Sequence, residues 1–215
     1  MGAFVNFYAD WMAPGEIHFS NRGAAVIGEL DGSMTTRLDK LCQDMRHFEP
    51  DVIQTESFNS WLWGKLAYGS LLFAQATGQM GIADCLARQD IRPVLTQLAA
   101  EIVQLAEALR IPLKGFNGFE PSAFLQAASG RERDNTFAAM VAFNRPNSKT
   151  HSGIWRDLAV RKRVTEVDGQ LGIVARIAAE QGMACPTVES LITMIHQIET
   201  GQRLQADHNL NQLLP

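Results

Sequence analysis

Cysteine is scarce in this chain of 215 residues: there are three, Cys42, Cys85 and Cys185, and they lie far apart. An odd, scattered set with no CxxC excludes a disulfide framework and fits a reducing cytoplasm. Nucleotide signatures are missing too. Neither GxGxxG nor GxxxxGK[ST] occurs, so the sequence offers no glycine-rich turn for a pyrophosphate, and Gly115-x-x-Gly118 is too short a pattern to count as one. There is no GxSxG elbow and no HExxH. The histidines His18, His47, His151, His196 and His208 show no paired spacing, so no metal site is expected. The first residues have no basic stretch and include Asp10 and Glu16, unlike a signal peptide. The longest uncharged run, 66–83, is broken by Gly69, Gln75, Gly78, Gln79 and Gly81 and reads as a core helix, not a membrane span. A net charge of −4 gives no electrostatic reason to bind nucleic acid or an anionic membrane. No internal repeat or low-complexity stretch is present.

What is there is a globular composition, 46% hydrophobic and 20% charged. Residues 3–9, 16–20 and 24–28 are rich in β-branched and aromatic types, with Pro14-Gly15 as a turn, and predict a small antiparallel β-meander. Thr35 or Thr36 caps a helix carrying Leu38, Leu41, Cys42, Met45 and Phe48 at 3–4 spacing, and a short strand follows within 51–55. A long apolar helix is expected over 59–87. Pro93 opens another that runs to Leu109. Short helices are expected near 121–128 and 135–143, with a Gly-rich aromatic loop at 113–121 before them. The segment 154–164 reads as either helical or extended. A helix over 165–181 ends at Gly182, Thr187 caps a last helix, and the polar tail 205–215 is expected to fray.

Two features could carry chemistry. Lys65 sits in an apolar stretch, and its helical neighbours Trp61, Leu62, Tyr68 and Gly69 include no acid. A lysine desolvated in such a wall has a lowered pKa and can donate a proton near neutral pH. The plainer reading is a lysine whose stem covers apolar surface while its ammonium reaches water. The second feature is 149–168, where Arg156, Arg161, Lys162 and Arg163 are answered by Asp157, Glu166 and Asp168. This is either a solvated, ion-paired face or an anionic-substrate site to which Ser152 and Glu166 contribute. The run is too short, and the chain too acidic, to favour a nucleic-acid patch.

Trp61-x-x-x-Lys65-Leu66, followed by Ser152, Arg156-Asp157 and Thr165-Glu166-Val167-Asp168-Gly169, resembles the C-terminal half of the ketopantoate reductases (2-dehydropantoate 2-reductases). Pro14-Gly15, Ile27-Gly28-Glu29 and Gly182 before Cys185-Pro186-Thr187 extend the resemblance over nearly the whole chain. It implies a mostly α fold, a helical bundle of the ketopantoate reductase and 6-phosphogluconate dehydrogenase C-terminal type preceded by the β-meander. Residues 1–55 would be a remnant of a dinucleotide-binding domain, 56–204 a helical substrate and dimerisation domain, and 205–215 a tail. It implies NADP as cofactor, a small 2-keto acid as substrate and a homodimer. Lys65 would be the catalytic acid, Glu166 its orienting partner and Ser152 a substrate contact. Where the family has asparagines four and eight residues after the lysine, this chain has Gly69 and Phe73, which would line a more apolar or differently shaped substrate site. One extra residue separates Asp157 from Glu166, and the loop 116–144 is longer than usual. Since the glycine-rich cofactor turn is absent, the resemblance implies a half that does not turn over alone, whether as a fragment or a short natural form. A separate dinucleotide-binding chain would then be its partner. The alternative is a stand-alone dimeric small-molecule-binding or scaffold module.

Overall fold

The computed structural model describes residues 1–7, 9–19 and 22–213. The expected strands 3–9 and 16–20 include Tyr8 and Ser20, and the tail includes Leu214 and Pro215; these positions lie outside the described residues. The chain divides into two compact units, residues 1–62 with 147–149, and residues 63–146 with 150–215.

The first unit holds the strands. β1 (Gly2–Val5) pairs antiparallel with β4 (Ala25–Gly28), and β4 pairs parallel with β5 (Ile53–Gln54). β2 (Ala9–Ala13) and β3 (Glu16–Phe19) form a separate hairpin around Pro14-Gly15. A small sheet at the start was expected, but its pairing is not that of a meander. The first strand's partner is β4, the central strand, all four residues of which are buried. Burial on both faces explains its unbroken apolar run, Ala25-Val26-Ile27, where alternation would mark a half-exposed strand. A parallel neighbour requires a crossover, and α1 (Thr36–Met45) supplies it. Leu38 and Cys42 of α1 pack with Ala25, Ile27 and Val52 as the core of this unit. Thr35 caps α1, its hydroxyl accepting from Leu38 N at 3.3 Å, as its position before the periodic stretch predicts.

The second unit is helical. α2 (Phe58–Ala76) begins in the first unit and continues into this one; α3 (Ile82–Ala87) and α4 (Arg92–Ala108) follow. The single helix expected over 59–87 is therefore broken at 77–81. Asp207, far along the chain, accepts from Gln79 N at 2.6 Å and Met80 N at 3.1 Å, so backbone donors that a continuous helix would use internally are satisfied from outside. α4 buries Leu95, Leu98, Ile102 and Leu105 as its periodicity predicts, and Pro93 stands in its first turn. After a 3-10 turn at Pro121–Phe124 comes α5 (Gly130–Asn144), opened by a capping box between Ser129 and Glu132. α6 (Gly153–Arg156) runs into a π turn at Asp157–Arg161. A second π turn at Asp168–Gly172 leads into α7 (Ile173–Glu180), and α8 (Pro186–Glu199) completes the bundle.

Two local expectations are corrected. α8 starts at Pro186, and Thr187 does not cap it. The buried carboxylate of Glu101 on α4 accepts from Thr187 N at 3.1 Å and Val188 N at 2.9 Å instead. Nor does the tail fray within 207–213. It forms a 3-10 helix whose Asn209 is fully buried and donates to Thr77 O and Leu204 O at 2.9 Å each. Among the described residues, no helix is long and apolar enough to cross a membrane. All three cysteines are buried free thiols. Burial pushes Cys85 up to about 12 and Cys185 to about 11, so neither is an activated nucleophile.

Candidate active site

The site is built on α2. Gly64 lets the backbone of the loop 113–115 cross against the helix, because a Cβ there would collide with Lys114 O. The next residue, Lys65, is half-buried. Burial draws its ammonium below the ordinary lysine range, and the negative charge of Glu166 pushes more weakly the other way. One turn on, Tyr68 is buried. Its hydroxyl accepts from Asn144 Nδ2 at 3.1 Å, and its ring meets Phe116 edge-on at 5.5 Å between centroids. Lysine stem and ammonium therefore stand in a partly dehydrated wall, where a charge interacts more strongly than in water.

Glu166 reaches this wall from the turn between the two π segments. Glu199 on α8 fixes that turn, accepting from Thr165 N and Thr165 Oγ1 at 2.7 Å each. A π turn closes i→i+5, one residue more than an α turn, and recurs at functional sites. The π turn at Asp157–Arg161 ends at Lys162 with φ 51°. Glu166 is exposed, and its Oε2 accepts from Gln170 Nε2 at 2.8 Å.

Lys65 and Glu166 are therefore brought within electrostatic reach. Gly69 lies one helical turn from Lys65, where a Cβ would stand in ordinary van der Waals contact, 3.7 Å, with Gln170 Oε1, so Gln170 covers this position. Phe73 is fully buried in the helical core. Ser152 is 2% exposed. It caps α6, its hydroxyl accepting from Trp155 N at 3.1 Å while its own N donates to Gln75 Oε1 at 3.4 Å. A hydroxyl that accepts in this way still has its proton to give. Gln170, four residues after Glu166, escaped the sequence reading. The Glu-x-x-x-Gln spacing along one helical face is the signal that could have found it.

Much of the charged run is internally paired. Asp157 takes Arg161 Nη1 at 2.9 Å and Arg163 Nε and Nη2 at 2.9 and 3.2 Å. Burial alone would raise its carboxyl, but these hydrogen bonds outweigh it and hold the group below the ordinary aspartate value. Asp168 faces His196 at 3.1 Å. α1 of the small sheet presents the carboxylates of Glu29 and Asp31 near its N-terminus, Glu29 bonded to Thr35 and Arg37 and Asp31 to Ser33. Acids there repel the anion that a glycine-rich turn would attract.

The family model described as ketopantoate reductase PanE/ApbA C terminal matches residues 57–199, and the chain belongs to that family. Among solved structures it is similar to a 2-dehydropantoate 2-reductase from Geobacter metallireducens GS-15, at 22% identity and TM-score 0.71, covering 91% of this chain and 60% of that one. It is also similar to D-mandelate dehydrogenase with NADH and anilino(oxo)acetate, at 15% identity and TM-score 0.72, with 91% and 58% covered. A dimeric ketopantoate reductase from Staphylococcus aureus matches at 14% identity and TM-score 0.63, with 94% and 62% covered. The chain thus spans about three fifths of the length of these neighbours, which share its fold. No curated protein matches its sequence.

Proposed function

We propose that this chain is the substrate-binding, proton-donating half of an NADP-dependent reductase of small 2-keto acids, of the ketopantoate-to-pantoate kind. The observation that carries this is the half-buried Lys65, its ammonium made more acidic by burial, with the negative charge of Glu166 acting more weakly the other way. Addition of hydride to the ketone carbon leaves negative charge on oxygen. An ammonium beside that oxygen stabilises the charge as it develops and then delivers a proton to give the alcohol. Glu166 orients the ammonium. Ser152 offers its hydroxyl proton to the substrate, and Gly69 and Phe73 contribute a more apolar wall to the substrate site. The hydride donor is held outside the described residues, by a dinucleotide-binding partner or domain. The working form is a homodimer in a reducing compartment, consistent with the dimeric neighbour and the free thiols.

The test is NADPH oxidation with 2-dehydropantoate after the chain has been combined with a dinucleotide-binding half. Lys65→Ala is expected to lower the rate by about 10²–10⁴-fold, the usual contribution of a positioned acid. A rate near wild type in that variant removes Lys65 from the mechanism.

A further inference from the structure

A cavity of about 370 Å³ opens between the end of α4 and the 3-10 turn at Pro121–Phe124. That is the size of a pocket for a small molecule. Val103 and Pro121, both buried, and Ile111, Leu113 and Leu125, half-buried, give it apolar walls. Two exposed residues of opposite charge, Glu107 and Arg110, line it as well, and neither side chain takes part in a hydrogen bond or ion pair among the described residues. Glu120, the other acid on the cavity, is engaged: it accepts from Ser122 N at 3.2 Å and from Ser122 Oγ at 2.9 Å. Arg110 stands where glycine would be at ease. α4 ends with Ile111 N donating to Ala106 O and Arg110 N to Glu107 O, at 2.9 Å each, the pair of bonds that puts the residue after the cap in the left-handed region. Arg110 has φ 57°, whereas α7 closes with the same pair of bonds and has Gly182 there, with φ 67°. The backbone gains nothing from a side chain at this position, so the arginine points to a use for its guanidinium. The walls suit an aliphatic body. An amine alone would leave Arg110 unpaired, and a carboxylate alone would face Glu107; a ligand carrying both charges pairs with both. We propose that this cavity binds a free α-amino acid with a branched aliphatic side chain. Its carboxylate meets Arg110, its ammonium meets Glu107, and its side chain lies against Val103, Leu113 and Leu125. The site does not depend on the reading of Lys65 as a catalytic acid.

The experiment is an NMR titration of the full chain with three probes. One is L-leucine; the others are 4-methylpentanoate, which lacks the ammonium, and 3-methylbutylamine, which lacks the carboxylate. Leucine is expected to shift the methyl resonances of Leu113 and Leu125 and to saturate. Each analogue is expected to bind about fivefold more weakly, the contribution of one exposed charge pair. Glu107→Gln is expected to abolish the preference for leucine over 4-methylpentanoate, and Arg110→Gly the preference over 3-methylbutylamine. A merely structural role would weaken all three probes together and leave their ratios unchanged. Arg110→Gly also relieves the left-handed backbone, so it is expected to unfold in urea no earlier than wild type, which separates its loss of binding from a loss of fold. Methyl resonances that leucine leaves unmoved overturn the site. Equal binding of all three probes by wild type, or preferences that survive both substitutions, overturn the assignment of an amino acid to it.

Discussion

At Glu29 the Arg37 guanidinium reaches both carboxylate oxygens at 2.6 Å and Thr35 Oγ1 donates at 2.7 Å. Arg37 first, then Thr35, hold the carboxyl down at about 2, against an ordinary 4.5. Because the folded value is depressed, the stabilisation is fully present above about 4.5 and is lost as the pH falls towards 2. Urea unfolding at a series of pH values should show wild type more stable than Glu29→Gln near neutrality, with the two curves converging across that window. Curves that stay parallel would mean that the contacts do not favour the charged form. Lys65 shows the opposite use of burial. Its desolvation is only partly offset by Glu166, which leaves a proton more readily released than a surface lysine's.

Among the elements, the turn 116–119 shows how local chemistry and distant packing meet. Asn117 and Gly118 both have positive φ, 53° and 83°, and Phe116 and Phe119 exchange backbone hydrogen bonds at 3.1 and 2.9 Å. That is the Asn-Gly pair of a type I′ turn. A Cβ on Gly118 would fall within 2.7 Å of the backbone of α5 at Ala139 and Met140. Gly118→Ala is therefore expected to destabilise the protein by about 2–4 kcal/mol through strain and overpacking, measured by urea unfolding. A cost under about 0.5 kcal/mol, the level of an ordinary surface substitution, would contradict the close approach. The Asn-Gly pair was legible in the sequence, although the segment reads there only as a Gly-rich loop. Caps held by neighbours in sequence were equally legible, as Thr35 and the positive φ of Gly182 show. Features whose partner is remote in sequence were not. The start of α8 depends on Glu101, 86 residues before Thr187, and the break after α2 depends on Asp207, 128 residues after Gln79. The site divides along the same line. Lys65 stands out through its apolar neighbours, whereas Gln170 acquires meaning only when the π turn before α7 brings its amide against Gly69.

At the scale of the molecule, a parallel β4–α1–β5 unit precedes a helical unit of the ketopantoate reductase C-terminal family. β1 lies at one edge of its sheet, and an exposed strand edge invites pairing. Sedimentation over a range of concentrations is expected to show a dimer, and a monomer at every concentration would contradict the proposed assembly. The central claim is that the ammonium of Lys65 meets the ketone of a 2-keto acid. NMR observation of the lysine side chains during titration with 2-dehydropantoate tests it most directly. The Lys65 resonance is expected to shift and saturate with the ligand, and in the free chain to titrate below the ordinary lysine range, lower still in Glu166→Gln. A Lys65 resonance that the keto acid leaves unmoved, while the ligand binds elsewhere or not at all, would contradict the account.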